Sequence, residues 1–84
     1  MIIGTTASGF EYSIEDEVMK DWEIIDYMSE MVENPFVIPK ILKKMLGIKQ
    51  YAKLMNHCRT GLIVDSEKMM VEFNDILSHG ELKN

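Results

Sequence analysis

With 84 residues, the chain has room for one domain and too little for a large hydrophobic core. Cys58 is the only cysteine, which excludes an internal disulfide, and with two histidines, His57 and His79, a structural zinc site is not expected. Apolar runs reach only three residues, far below the roughly 20 of a membrane span, and the N-terminus has no signal-peptide pattern. We therefore expect a cytoplasmic protein.

Charge is segregated along the chain. Residues 1–33 contain nine acids and one base, residues 34–64 contain six bases and no acid, and residues 65–84 contain five acids and two bases, for a net charge of −5. Such an order is neutralised inside the fold, across a contact between copies of the chain, or by a partner. Compensation inside the fold is the simplest of these, and a homo-oligomer stays open.

The first predicted element is a short strand or hairpin within residues 1–14. Phe10, Tyr12 and Ile14 occupy alternate positions, which is the pattern of a half-buried strand. The pair Ile2–Ile3 can return on this strand through a tight turn. Two strands need helices to cover them.

A long amphipathic helix is predicted over residues 15–33, because acids fill its first turn and apolar residues follow at a spacing of three to four. The apolar stripe consists of Val18, Trp22, Ile25, Met28 or Ser29, and Val32, with Ile24 and Met31 beside it. Trp22 is expected to anchor the core. The pair Asn34–Pro35 ends the helix, since a residue before proline avoids the helical conformation.

Two helices are predicted next, over residues 38–46 and 48–59. Pro39 fits the first helical position, Gly47 fits a left-handed C-cap between the helices, and Thr60–Gly61 ends the second of them. The residues expected to face inward are Ile41, Leu42, Met45, Leu46, Ile48, Tyr51, Leu54, Met55 and Cys58.

A final helix is predicted over residues 66–79, capped by Asp65 or Ser66 and stopped at Gly80. An extended link over residues 62–64 is expected to pack on the core. The apolar residues that this helix carries are Met69, Met70, Phe73, Ile76 and Leu77, and the neighbours Met69 and Met70 cannot both face the core. The fold class is thus mainly α: one domain, 1–84, built as a small bundle of about four helices with an N-terminal strand or hairpin.

The sequence offers little for catalysis, and we predict that the chain is not an enzyme and has no catalytic, cofactor-binding or metal-binding residues. Cys58 follows His57 directly, but neighbours on a helix point about 100° apart and do not form a nucleophile–base pair. Cys58 is better explained as a small buried apolar residue, and His57 as a residue favoured by the helix C-terminus.

A helix-turn-helix resemblance over residues 38–59 predicts an alternative function, a small DNA-binding regulator. There Gln50, Tyr51 and Lys53 could contact bases. Lys53 and Asn56 occupy positions that the motif fills with apolar residues, and the chain is acidic, whereas a DNA-binding protein is commonly basic. A small enzyme subunit or structural adaptor is a third reading.

Protein binding is favoured by eight methionines, whose flexible side chains suit varied helical partners, and by the lysines of the acid-free window. The predicted partner-binding residues are Lys40, Lys43, Lys44, Lys53, Met19 and Met70. The residues predicted to be structural are Trp22, Pro35, Pro39, Gly47 and Gly61.

An ordered set of residues between Gly9 and Leu77 resembles one family. The set is Asp21-Trp22-Glu23, Asn34-Pro35, Pro39, Leu46-Gly47, Gln50-Tyr51, His57-x-Arg59, Gly61 and Met69. It is similar to the tail assembly chaperones of long-tailed (siphovirus-type) phages and prophages of Gram-positive bacteria. The chain departs from that pattern at 60–64, where the family tends to have an acidic, glycine-containing turn.

The resemblance implies a helical chaperone that binds the tape measure protein, keeps it soluble and helps recruit the tail tube protein. It also implies action in the bacterial host cytoplasm and absence from the mature virion, with no nucleic acid or membrane as a partner. In many such phages a programmed frameshift makes a longer form, and this chain would be the short one. A tape measure gene just downstream would support the assignment.

Overall fold

A computed structural model describes residues 1–78 and shows a mostly helical chain that begins with a two-stranded hairpin. Strands β1 (Ile2–Thr5) and β2 (Glu11–Ile14) pair antiparallel, with Gly4 opposite Tyr12. Tyr12 and Ile14 of β2 are buried, as their alternation predicts. A Cβ at Gly4 would lie 2.6 Å from Tyr12 Cζ, so glycine is needed where this ring covers the strand.

The segment 15–33 is not one long helix, and this prediction is wrong. It forms a 3₁₀ helix (Asp16–Lys20) and then the α-helix α1 (Trp22–Glu30). Between them Asp21 has an extended backbone, and its carboxylate accepts a 2.9 Å hydrogen bond from the Glu23 N–H. Asp21 is therefore the N-cap of a new helix, and the earlier hydrogen-bond ladder stops there.

The new start changes which face of α1 is buried. Ile24 is buried, and Tyr27, Met28 and Met31 pack partly buried against the core. The residues predicted to face inward that are instead exposed are Trp22, Ile25 and Val32. Trp22 is the first residue of α1 and is 74% exposed, so its predicted role as a core anchor is wrong.

The two predicted helices 38–46 and 48–59 are two parts of one element, α2 (Ile38–His57). Gly47 interrupts it with φ 79° and ψ 164°, a conformation that is almost confined to glycine. The positive φ was predicted, but the backbone there is extended and not left-handed helical. Pro39 is the second residue of α2. Within residues 1–78 the α-helices therefore number three and not about four.

Residues 62–64 were predicted to pack on the core, and this is wrong for two of them. Strands β3 (Arg59–Thr60) and β4 (Ile63–Val64) form a hairpin around a two-residue loop of Gly61 and Leu62. Gly61 has φ 61° while Leu62 has a negative φ, the pattern of a type II′ turn. This turn leaves Leu62 and Ile63 exposed, whereas Val64 packs partly buried.

The last described helix is α3 (Ser66–Ser78). The Asp65 carboxylate accepts hydrogen bonds from the N–H groups of Glu67 and Lys68, which confirms Asp65 as its cap. The predicted helix end at His79 and the stop at Gly80 lie outside the described residues.

The core lies where the β1–β2 hairpin, α2 and α3 meet. Its most deeply buried side chains are Ile14, Ile41, Leu42, Met45, Leu54, Cys58, Phe73 and Ile76. Of the residues predicted to face inward from the two parts of α2, those confirmed as buried are Ile41, Leu42, Met45, Leu46, Leu54 and Cys58. Tyr51 and Met55 are half-buried, and Ile48, which follows the Gly47 interruption, is exposed. Within residues 1–78, no helix combines the length and apolarity required to cross a bilayer.

Candidate protein-binding groove

An open apolar groove lies between the start of α2, its second part and the start of α3. Its volume is about 360 Å³. We call it the groove, and its lining residues are Pro35, Phe36, Ile38, Pro39, Leu42, Tyr51, Met55, Val64, Ser66, Met69 and Met70. Almost all of these are apolar, and the interruption at Gly47 orients the part of α2 that supplies Tyr51 and Met55.

Phe36 is the most exposed aromatic of the groove, at 84%. It belongs to the 3₁₀ helix Pro35–Val37, whose N-cap is Asn34, and the Asn34 side chain accepts a 3.2 Å hydrogen bond from the Phe36 N–H. Pro35 fills the position after the cap, where its missing N–H costs nothing. This local capping fixes the backbone that carries Phe36 and explains the structural role predicted for Pro35.

Three methionines supply the flexible part of the lining. Met69 packs partly buried against the core, Met55 is half-buried, and Met70 is 39% exposed. Methionine changes shape at low cost and makes favourable contacts with aromatic rings. The predicted partner-binding residue Met70 is therefore placed in the groove.

Lys43 lies at the edge of the groove, where it contacts the ring of Tyr51. The ammonium of Lys43 lies 5.6 Å from the centroid of the Tyr51 ring, within the range of a cation–π interaction. Lys43 is also four residues after Pro39, so both project from the same face of α2. Among the predicted lysines, Lys43 is the one that the structure brings to the groove.

Lys44 forms ion pairs at the start of α1 and not at the groove. Its ammonium forms ion pairs with Asp21, at 3.0 Å, and with Glu23, at 2.8 Å. Hydrogen bonds to Glu23 and Asp21 raise the pKa of Lys44, and the hydrogen bond from Lys44 lowers the pKa of Asp21. Lys44 therefore ties the cap of α1 to α2 and stabilises the scaffold.

The other predicted binding residues do not converge on the groove. The ammonium of Lys40 lies 5.8 Å from the Tyr27 ring centroid, toward α1. Lys53 is exposed two residues after Tyr51, about 200° around the helix from it. Met19 packs partly buried against the core.

A polar cluster on the other flank of α3 was not predicted. Glu72 is 3% exposed and accepts hydrogen bonds from the hydroxyls of Thr6, at 2.7 Å, and Ser8, at 2.8 Å. Asp75 accepts a 2.6 Å hydrogen bond from the Ala7 N–H, and His57 Nε2 lies 2.8 Å from the Ser8 hydroxyl. We call the cluster of Thr6, Ser8, His57, Glu72 and Asp75 the polar clasp.

The hydrogen-bond directions in the polar clasp are those of a structural tie. Because the Ser8 hydroxyl donates its proton to Glu72, the Nε2 atom of His57 donates to Ser8. A base that activates a serine would accept that proton. Cys58 lies buried next to this cluster, and burial raises the pKa of its thiol, which keeps the sulfur protonated. Among residues 1–78 no three His, Cys, Asp or Glu side chains are placed to hold a metal ion.

Gln50, a predicted base-contacting residue of the DNA-binding alternative, is used inside the fold. Its carbonyl oxygen accepts from the Ser13 N–H at 2.8 Å, and its amide nitrogen donates to the carbonyl oxygens of Ser13 and Leu46, both at 2.7 Å. The side chain ties α2 to β2. For the Gln50 side chain to contact a DNA base, all three of these hydrogen bonds would have to break.

Comparisons of the chain with known protein families, with curated proteins and with solved structures find no match.

Proposed function

We propose that the chain is a tail assembly chaperone that binds the tape measure protein in the bacterial cytoplasm. It keeps that protein soluble, helps recruit the tail tube protein, and leaves before the tail is complete. The observation that carries this proposal is the groove, an open apolar surface with Phe36 exposed at its edge. The family resemblance of the residues between Gly9 and Leu77 supplies the identity of the partner.

The shape of the groove suits a helix. An amphipathic helix binds in such grooves by placing apolar side chains from successive turns into the lining. A volume of about 360 Å³ accommodates a few such side chains and not a large ligand surface. Met55, Met69 and Met70 allow the lining to adapt to different segments of one long helical protein.

Charge adds a preference for acidic helices. Lys43 places a positive charge beside Tyr51, and a carboxylate on the bound helix would meet it at the edge of the groove. Such edge contacts favour association and set orientation more than they add affinity. The groove therefore binds reversibly, which a chaperone that must leave requires.

The test is co-expression with the tape measure protein encoded by the same genome. Phe36→Ser combined with Met70→Ser removes the exposed apolar contacts, and Lys43→Glu reverses the charge. We expect each variant to lower the tape measure protein that co-purifies by about tenfold, with a matching loss from the soluble fraction.

A control is Val71→Ser combined with Lys53→Glu, which makes an apolar-to-serine change and a lysine-to-glutamate change at exposed positions outside the groove. This control should co-purify like the unchanged chain, and all variants should keep the helical circular dichroism spectrum. Equal co-purification by the groove variants and the control would refute the groove as the binding site. Absence of co-purification with the unchanged chain would refute the proposed function.

A further inference from the structure

A second apolar surface lies on α1, on the side opposite the buried Ile24. Trp22 and Ile25 are exposed and three residues apart, which makes their side chains neighbours on one face of the helix. Val32 follows in the turn after α1 and is 86% exposed. We define the Trp22 surface as these three apolar residues with the acids interspersed among them: Trp22, Ile25, Val32, Asp26, Glu30 and Glu33.

The charge of this surface is opposite to that of the groove. Asp26, Glu30 and Glu33 form no ion pair with any residue in the described part of the chain. The cations that reach α1 from α2 are Lys44, which pairs with Glu23, and Lys40, which lies over Tyr27, and both stay on the flank facing α2. The Trp22 surface therefore presents uncompensated carboxylates around its apolar residues.

Large apolar side chains that are exposed next to one another commonly mark a protein-binding site. Tryptophan is the residue most enriched among side chains that dominate binding energy, and such side chains act when they enter an apolar pocket. Trp22 has the geometry of such an anchor, since the Asp21 cap fixes its backbone while its side chain is left in solvent. The carboxylates on the same face add a requirement for positive charge around the pocket.

We propose that the Trp22 surface is a second protein-binding site, separate from the groove, whose partner presents lysine or arginine side chains around an apolar pocket. The partner of the groove is acidic and helical, so the two surfaces select partners of opposite charge. The chain can then hold two different proteins together. The Trp22 surface is inferred from residues 22–33 and does not depend on the proposed function, whereas the contrast with an acidic partner at the groove rests on it.

The test uses two synthetic amphipathic peptides with the same leucines, one with lysines and one with glutamates on the polar face. Trp22 is the only tryptophan, so its fluorescence reports this surface directly. At about 0.15 M salt we expect the leucine–lysine peptide to bind and to shift Trp22 emission to shorter wavelength, while the leucine–glutamate peptide leaves it unchanged.

Variants separate a specific site from general attraction between charges. Trp22→Ser combined with Ile25→Ser keeps every charge and should weaken binding of the labelled leucine–lysine peptide by at least about tenfold. Asp26→Lys combined with Glu30→Lys should weaken it similarly. The groove variant, Phe36→Ser with Met70→Ser, is the control and should keep the affinity of the unchanged chain.

Several results would overturn the inference. They are no binding of the leucine–lysine peptide, equal binding by the Trp22→Ser, Ile25→Ser variant, and loss of binding in the groove variant. A shift of Trp22 emission with protein concentration alone would show that a second copy covers the surface, which also contradicts the proposal. Because these measurements use no tape measure protein, their failure would leave the proposed function untouched.

Discussion

The two flanks of α3 are built from opposite kinds of chemistry. On one flank the polar clasp joins the hairpin turn to α2 and α3 through hydrogen bonds, and its central carboxylate, Glu72, is 3% exposed. On the other flank the groove is apolar and open, with Met70 and Phe36 exposed at its edge. The polar clasp contacts α2 at its last residue, His57, whereas the groove is lined by both parts of α2.

The difference separates what holds the fold from what is left for a partner. A buried carboxylate with satisfied hydrogen bonds has one arrangement of low energy, so it fixes the position of the hairpin relative to α3. Apolar side chains at an open groove have several arrangements of similar energy, and methionines have the most. The polar clasp should therefore determine stability, and the groove should determine binding.

The largest effect on stability is expected for Glu72→Ala, which removes the central carboxylate of the polar clasp. Removal of the carboxylate leaves the buried Thr6 hydroxyl without its acceptor and also removes the hydrogen bond from the exposed Ser8, which we expect to lower the free energy of unfolding by about 2–3 kcal/mol. Urea denaturation followed by circular dichroism measures this, and the melting temperature should fall by roughly 10–20 °C. Glu67→Ala, at an exposed position of the same helix, is the control and should change stability by less than about 0.5 kcal/mol.

The next prediction concerns Gly47, where the helical backbone of α2 is interrupted. Its φ of 79° and ψ of 164° suit glycine alone, while a Cβ there would meet no atom within 4 Å. Gly47→Ala should therefore cost about 1–3 kcal/mol through backbone strain and not through a clash. The same urea experiment measures the loss, and Ile48→Ala beside it should be nearly neutral. A neutral Gly47→Ala would contradict the interrupted geometry of α2.

A pH series tests the tie between α1 and α2, which supports the groove side of the molecule. The hydrogen bond from Lys44 lowers the pKa of Asp21, so the stabilisation is complete above the ordinary aspartate range and is lost as pH falls below about 4. Asp21→Asn keeps a competent cap but removes this charge. Its unfolding free energy should therefore change less between pH 6 and 3 than that of the unchanged chain, by thermal denaturation at each pH. Parallel curves would show that the ion pair contributes nothing.

The sequence predicted the buried face of a helix correctly where that face depends on neighbouring residues alone, and incorrectly where it depends on distant ones. The inward face of the first part of α2 was correct, because Ile41, Leu42 and Met45 follow an uninterrupted helical period. The face of α1 was wrong because the helix begins after the Asp21 cap and not near residue 15, and Asp21 is also held by Lys44, 23 residues away. Periodicity shows that a helix is amphipathic, but the position of its cap decides which side is buried.

The candidate sites show the same limit. Lys43 and Met70 were predicted for partner binding and lie at the groove, whereas Lys44 is used by the scaffold. The polar clasp could not be predicted, because Thr6 and Glu72 are 66 residues apart and no local pattern links them. Phe36 carried a weak signal, an aromatic directly after a capped Asn34–Pro35 pair.

The smallest expected effect completes the comparison. Phe36→Ser combined with Met70→Ser should lower the free energy of unfolding by roughly 1 kcal/mol or less, because Phe36 is 84% exposed and Met70, at 39%, lies on the open edge of the groove. The same variant is expected to lose the tape measure protein. Glu72→Ala should thus lower the stability measured by urea denaturation, whereas the groove variant should mainly lower the amount of tape measure protein that co-purifies. A loss of stability near that of Glu72→Ala would mean that the groove is part of the core, and it would remove the reason to assign it to a partner.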